Sequence, residues 1–112
     1  MKKLIGLKKI RTAVFISGNG TNLKSLIKFS KTKKSPITIN LIISNNSKAK
    51  GLNYSNQFKI PKKIINYKIK NIAEKKILLI LKKSKINFIC LAGFMKILSK
   101  NFIKKFKYKI VN

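Results

Sequence analysis

Three stretches of this chain, residues 12–23, 35–47 and 86–95, carry no charge, in a sequence where lysine is otherwise spread from end to end. Each contains a short run rich in Ile, Val or Phe: Thr12 to Ile16, Ile37 to Ile43 and Asn87 to Leu91. Short apolar runs bounded by Gly, Ser and Asn suit strands that are buried on both faces of a parallel sheet. The segments between them are Lys-rich with helical spacing. Leu23, Leu26 and Ile27 recur at i, i+3, i+4, as do Ile77, Ile80, Leu81 and Ser84, with lysines on the opposite face. The order is therefore β-α-β-α, which predicts an α/β fold with a mostly parallel sheet and flanking helices.

The same pattern predicts strands over 12–17, 37–44, 63–67, 87–91 and 108–112, and helices over 21–32, 48–57, 72–84 and 99–106. Pro36 and Pro61 both precede strands, where a missing N–H does no harm. The 112 residues allow one domain, with no internal repeat and no linker long enough to divide it.

Charge and missing residue types narrow the chemistry. The chain has 28 Lys and Arg, one acidic residue and no His, for a formal charge of +27. General acid–base catalysis near neutral pH draws on His, Asp or Glu, and only Glu74 is present. The chain by itself thus lacks a proton-transfer apparatus. With Cys90 the single cysteine and no His, neither an internal disulfide nor a cysteine–histidine metal site is expected. The longest apolar run, Phe88 to Met95, is far short of the roughly 18–20 residues that span a bilayer. Lys8, Lys9 and Arg11 interrupt the apolar start before it could form a signal peptide core, so a cytoplasmic location is expected.

So much positive charge raises the alternative of a small basic nucleic-acid-binding protein. Composition offers a simpler cause, because Lys, Ile and Asn make up about half of the chain and only one Arg is present, as A/T-rich codons would produce. No Arg-rich or aromatic-interleaved stripe stands out, so no specific nucleic-acid partner is expected. Glu74 follows Asn71 at the spacing of a capping box, which predicts a structural role at a helix start. Cys90, inside an apolar strand, reads as a small buried hydrophobe.

Two loops carry the functional signal. Ser17-Gly18-Asn19-Gly20-Thr21-Asn22-Leu23 follows the first strand and opens the first helix, where glycines and free amides can take an anion. Leu23 stands where a dinucleotide fingerprint needs its third glycine, so a phosphate monoester fits better than a dinucleotide. On this loop alone, an anion site and an ordinary strand-to-helix turn are both open. The second loop, Leu91-Ala92-Gly93-Phe94-Met95-Lys96-Ile97-Leu98-Ser99, follows another strand and offers Phe94, Met95 and Ile97 to a flat heterocycle or, more simply, to packing under the sheet.

Taken together the two loops, with Ile43-Ser44-Asn45 after the second strand, closely resemble the phosphoribosylglycinamide formyltransferase family of purine biosynthesis over about residues 12–112. Residues 1–11 read as a basic amino-terminal extension. The resemblance implies a Rossmann-like formyltransferase fold, cut off after about the fifth strand. It implies transfer of a formyl group from the co-substrate 10-formyltetrahydrofolate to the amine of glycinamide ribonucleotide, without a metal. Gly20, Thr21 and Asn22 match the positions that hold the ribonucleotide phosphate. Met95, Lys96, Ile97 and Leu98 match the folate-lining segment, where the family often has Arg in place of Lys96. Lys70 falls, by a gapless count back from Leu91, where the family can place an Arg near the folate. Asn112 matches the catalytic asparagine, which also contacts the folate. In the family, Val-Asn continues as Ile-His-Pro-Ser, and neither that histidine nor the later aspartate is among these residues. The 112 residues alone are therefore expected to be an inactive, incomplete chain.

Overall fold

The computed structural model describes residues 9–112. Within them, strands and helices alternate as β1 (Ile10–Ile16), α1 (Thr21–Ser30), β2 (Ile37–Ser44), α2 (Asn53–Phe58), β3 (Lys62–Ile64), α3 (Lys70–Lys83), β4 (Phe88–Leu91), α4 (Lys100–Phe106) and β5 (Lys109–Val111). A 3₁₀ turn at Lys50–Leu52 leads into α2. The strands form one sheet in the order β3-β2-β1-β4-β5, and every neighbouring pair is parallel. This is the expected α/β architecture.

The uncharged stretches became the centre of the sheet because strands covered on both faces cannot carry charge into the core. Ala13, Val14, Phe15 and Ile16 are wholly buried. Alternation then sorts them. Ala13, Phe15, Leu41, Ile43 and Ile89 pack against Ala73, Ile77 and Leu81 of α3 and Phe102 and Phe106 of α4. Val14, Ile16, Ile42 and Cys90 face the other way, toward Leu23 and Ile27 of α1 and Leu52. Each fully buried Ile, Leu or Phe contributes on the order of 1.5–3 kcal/mol. The edge strand β3 is exposed throughout, and Lys62 and Lys63 discourage pairing with another chain.

Among the boundaries that differ from expectation, the starts of β1 and α3 have local reasons. β1 begins at Ile10 rather than Thr12, since Ile10 and Arg11 pair with Ile37 and Thr38 at the open end of the sheet. Arg11 does not interrupt the strand there because its side chain is exposed and its Nε donates to the Ser84 carbonyl at 3.0 Å. The basic extension expected over residues 1–11 otherwise falls on residues 1–8, which lie outside the described residues. α3 begins at Lys70, with Ile69 as its N-cap. This overturns the capping box. Asn71 is inside the helix and Glu74 is a full turn along it, turned into the protein and 5% exposed.

All strands run the same way, so the loops after β1, β2 and β4, the start of α3 and the residue after β5 share the carboxyl edge of the sheet. β1 and β4 are neighbours whose following connections lead to opposite sides, the first to β2 and the second to β5. That is the switch point at which open α/β sheets leave a crevice.

Candidate functional site

The loop after β1 is built on backbone-to-backbone contact. Gly20 is the N-cap of α1 with φ 76°, in the left-handed region. A Cβ there would lie 2.6 Å from the Cα of Gly51, and one on Gly51 would lie 2.9 Å from the Cα of Gly20. The Gly51 amide also donates to the Gly18 carbonyl at 3.0 Å. Two glycines on different connections thus let the loops after β1 and β2 touch. Within α1 the first amide engaged is that of Lys24, which donates to Gly20 O at 2.9 Å. The amides of residues 21–23 therefore lie at an open helix start with no acidic residue in its first turn. Thr21 and Asn22, both exposed, frame it.

Ser17 joins this loop to its neighbours. Its hydroxyl donates to Asn45 Oδ1 and accepts from the Met95 amide at 2.8 Å. Asn46 Nδ2 donates to the Ser17 carbonyl at 3.2 Å. The ends of β1, β2 and β4 are thus held together by side chains that sequence reasoning did not single out as functional. Ser17 and Asn45 lay in plain sight within recognised motifs, but Gly51 had no comparable signal.

In the loop after β4 the two readings divide by residue. Phe94 packs under the sheet, edge-on to Phe15 at 5.3 Å and to Tyr67 at 5.8 Å between ring centres. Met95 and Ile97 stay 78% and 81% exposed at the carboxyl edge. Leu98 is half-buried against the α3–α4 side of the core, and Lys96 holds its Nζ 5.9 Å from the Tyr67 ring centre. Lys70 is the exposed first residue of α3. Asn112 follows Val111, which pairs with Cys90, so it stands level with Leu91 at the end of β4. The register brings Asn112 beside the β4 loop, while Lys70 reaches the same edge only through the topology.

Among the described residues the site holds no proton shuttle. Glu74 is the only carboxylate side chain, and it accepts hydrogen bonds from the Ser99 amide at 2.9 Å and the Ser99 hydroxyl at 2.6 Å. Burial pushes the Cys90 thiol above its ordinary value. Burial first, and the Glu74 charge second, push the Tyr67 phenol up to about 12. No group of three His, Cys, Asp or Glu residues that could hold a metal ion occurs among the described residues. No described helix is long and apolar enough to cross a membrane. A concavity of about 910 Å³ lies at the opposite end of the sheet, between the ends of α3 and α4. It contains none of these groups.

Residues 10–112 match the formyl transferase family. The chain belongs to that family. As a formyl transferase it is 42% identical over 108 residues to the human trifunctional purine biosynthetic protein adenosine-3, covering 94% of this chain and 11% of that protein. It is 37% identical over 109 residues to the phosphoribosylglycinamide formyltransferase of Haemophilus influenzae, covering 95% of this chain and 50% of the relative. The crystal structure of phosphoribosylglycinamide formyltransferase from Brucella melitensis superposes with a TM-score of 0.86 at 32% identity, over 92% of this chain and 55% of that one. The formyl transferase fold read from the two loops is thus observed, and the chain spans about half the length of these single-function relatives.

Proposed function

We infer that this chain provides the substrate-binding half of a phosphoribosylglycinamide formyltransferase, moving a formyl group from 10-formyltetrahydrofolate to the amine of glycinamide ribonucleotide. One observation carries the reading. The two loops that resemble the family meet on either side of the switch point, joined by the hydrogen bond from the Met95 amide to Ser17. The open start of α1, with Gly20, Thr21 and Asn22, takes the ribonucleotide phosphate. Met95, Lys96, Ile97 and Leu98 receive the folate, with Lys70 at the edge as a cation for its carboxylates. Residues 10–112 form the formyltransferase part and the residues before them a basic extension, working in the cytoplasm on soluble substrates with no specific nucleic acid.

In this scheme the glycinamide amine attacks the formyl carbon and negative charge builds on the formyl oxygen. The Asn112 amide donates one hydrogen bond to that oxyanion. Release of the folate nitrogen needs a proton carrier, and these residues include no His or Asp to provide it. The test is a formyl-transfer assay with both substrates. The 112 residues alone should bind the ribonucleotide yet give no turnover, and the chain extended to supply the histidine and aspartate should turn over. Turnover by the 112 residues alone, or no ribonucleotide binding by either form, would overturn the reading.

A further inference from the structure

Segment Met95–Leu98 has little packing of its own to hold it. Met95, Lys96 and Ile97 are exposed, and Gly93 enters the segment at φ 74° with open space around it. Both ends are nevertheless tied by side chains from elsewhere in the fold. At the first end, the Met95 amide donates to Ser17 Oγ, and that hydroxyl spends its single proton on Asn45. At the far end, the amide and hydroxyl of Ser99 both donate to the Glu74 carboxylate. Ser99 Oγ in turn accepts from the Phe102 amide at 3.0 Å and so caps α4.

Glu74 is the only acidic residue among 28 cationic ones, and it is buried. A buried carboxylate is costly unless hydrogen bonds replace its water. Here the replacement comes from the residue that ends the exposed segment, so the energetics of the carboxylate depend on where that segment stops. Ser17 makes the matching attachment at the start, from the strand that carries the ribonucleotide loop.

The geometry points to Ser17 and Glu74 as a pair of positioning residues that hold Met95–Leu98 in the conformation that receives the folate, with Ser17 also linking that segment to the ribonucleotide loop. The inference rests on the folate reading of residues 95–98. Ser17 acts through the Met95 amide, and Glu74 through the amide and hydroxyl of Ser99, the residue that follows the segment.

The experiment uses the 112-residue chain and its Ser17→Ala, Glu74→Gln and Glu74→Ala variants. Amide hydrogen exchange is read at Met95, Ser99 and Phe102, and affinity is measured for 10-formyltetrahydrofolate and for glycinamide ribonucleotide. Ser17→Ala should speed exchange at Met95, and both Glu74 variants at Ser99. Loss of one charge-assisted hydrogen bond should weaken folate binding about tenfold in Glu74→Gln, with ribonucleotide affinity held within about twofold. Glu74→Ala should be worse than Glu74→Gln, which keeps one acceptor for the Ser99 hydroxyl. Ser17→Ala should weaken both ligands. Unchanged exchange at Met95 and Ser99, or equal loss of both ligands in Glu74→Gln, would overturn the proposal. If a Glu74 variant does not fold, Ser17→Ala carries the same readouts at the other anchor. If the unaltered chain binds ribonucleotide but no folate while exchange still responds, the folate reading is overturned and the anchoring is upheld, so the two failures are distinguishable.

Discussion

Gly20 and Gly51 show how a residue can be necessary for a reason its motif does not display. A glycine beside a phosphate loop invites the explanation that the ligand must come close. Here the other glycine already forbids a side chain, with 2.6 Å available where van der Waals contact needs well over 3 Å. Gly20→Ala adds left-handed strain to that clash and should cost about 3 kcal/mol of stability, and Gly51→Ala about 2 kcal/mol. Gly18→Ala, with nothing within 4 Å, should change stability by less than about 0.5 kcal/mol. Urea unfolding of the three variants checks this order. Anion binding is better read from Thr21→Val and Asn22→Ala, which leave the glycine contact alone. Tyr67 supplies a pH prediction. Its hydroxyl is buried and has no hydrogen-bond partner among the described residues. The unfolded phenol ionises near pH 10.0, and the folded one only at about 12. The folded state therefore holds its proton more tightly, and this stabilisation, complete below pH 10, is lost as pH rises through 12. Spectrophotometric titration should find one of the three tyrosines ionising near 12, and Tyr67→Phe should remove that step.

At the scale of elements, the helices end in an unusual way. Lys59 and Lys107 are the C-caps of α2 and α4, and Lys85 follows the C-cap of α3. All three have positive φ, from 56° to 68°. These are positions where glycine is the common choice because a Cβ is strained there. A composition dominated by Lys, with 5 glycines in 112 residues, has put the strained residue in the left-handed site. Each of Lys59→Gly, Lys85→Gly and Lys107→Gly should raise stability by about 0.5–1 kcal/mol, the strain relieved less the added freedom of the unfolded chain. Urea midpoints of the single and triple variants test it, and approximate additivity is expected because the three sites sit on separate helices. The element boundaries were legible where the hydrophobic pattern changed sharply, as at Ile37–Ser44. They were less so where a charged residue lies at the open end of a strand, as Arg11 does in β1.

At the scale of the whole molecule, a charge of +27 on a formyl transferase fold poses a choice between purpose and composition. If the lysines reflect composition, DNA and RNA should bind weakly and without sequence preference. Binding should fall steeply between low and physiological salt, since phosphate contacts release counterions and carry no base information. Competition between unrelated and selected oligonucleotides at physiological salt measures this directly. A selected sequence favoured by about a thousandfold would make nucleic acid a primary partner.

The sequence by itself determined the layer order, the central strands and the two loops at the carboxyl edge, because a parallel sheet covered on both faces demands uncharged runs and leaves its turns to Gly, Ser and Asn. The absence of His and Asp from these residues was legible in the same way, from composition alone. What only the tertiary structure decided are the contacts between residues far apart in sequence. Gly51 against Gly20, Ser17 with Met95, and Glu74 with Ser99 each pair groups whose local patterns say nothing of one another. Glu74 makes the reason plain. Its spacing from Asn71 fits a cap, but packing α3 against the core turned the carboxylate inward, where the amide and hydroxyl at the start of α4 supply better hydrogen bonds than the first turn of its own helix.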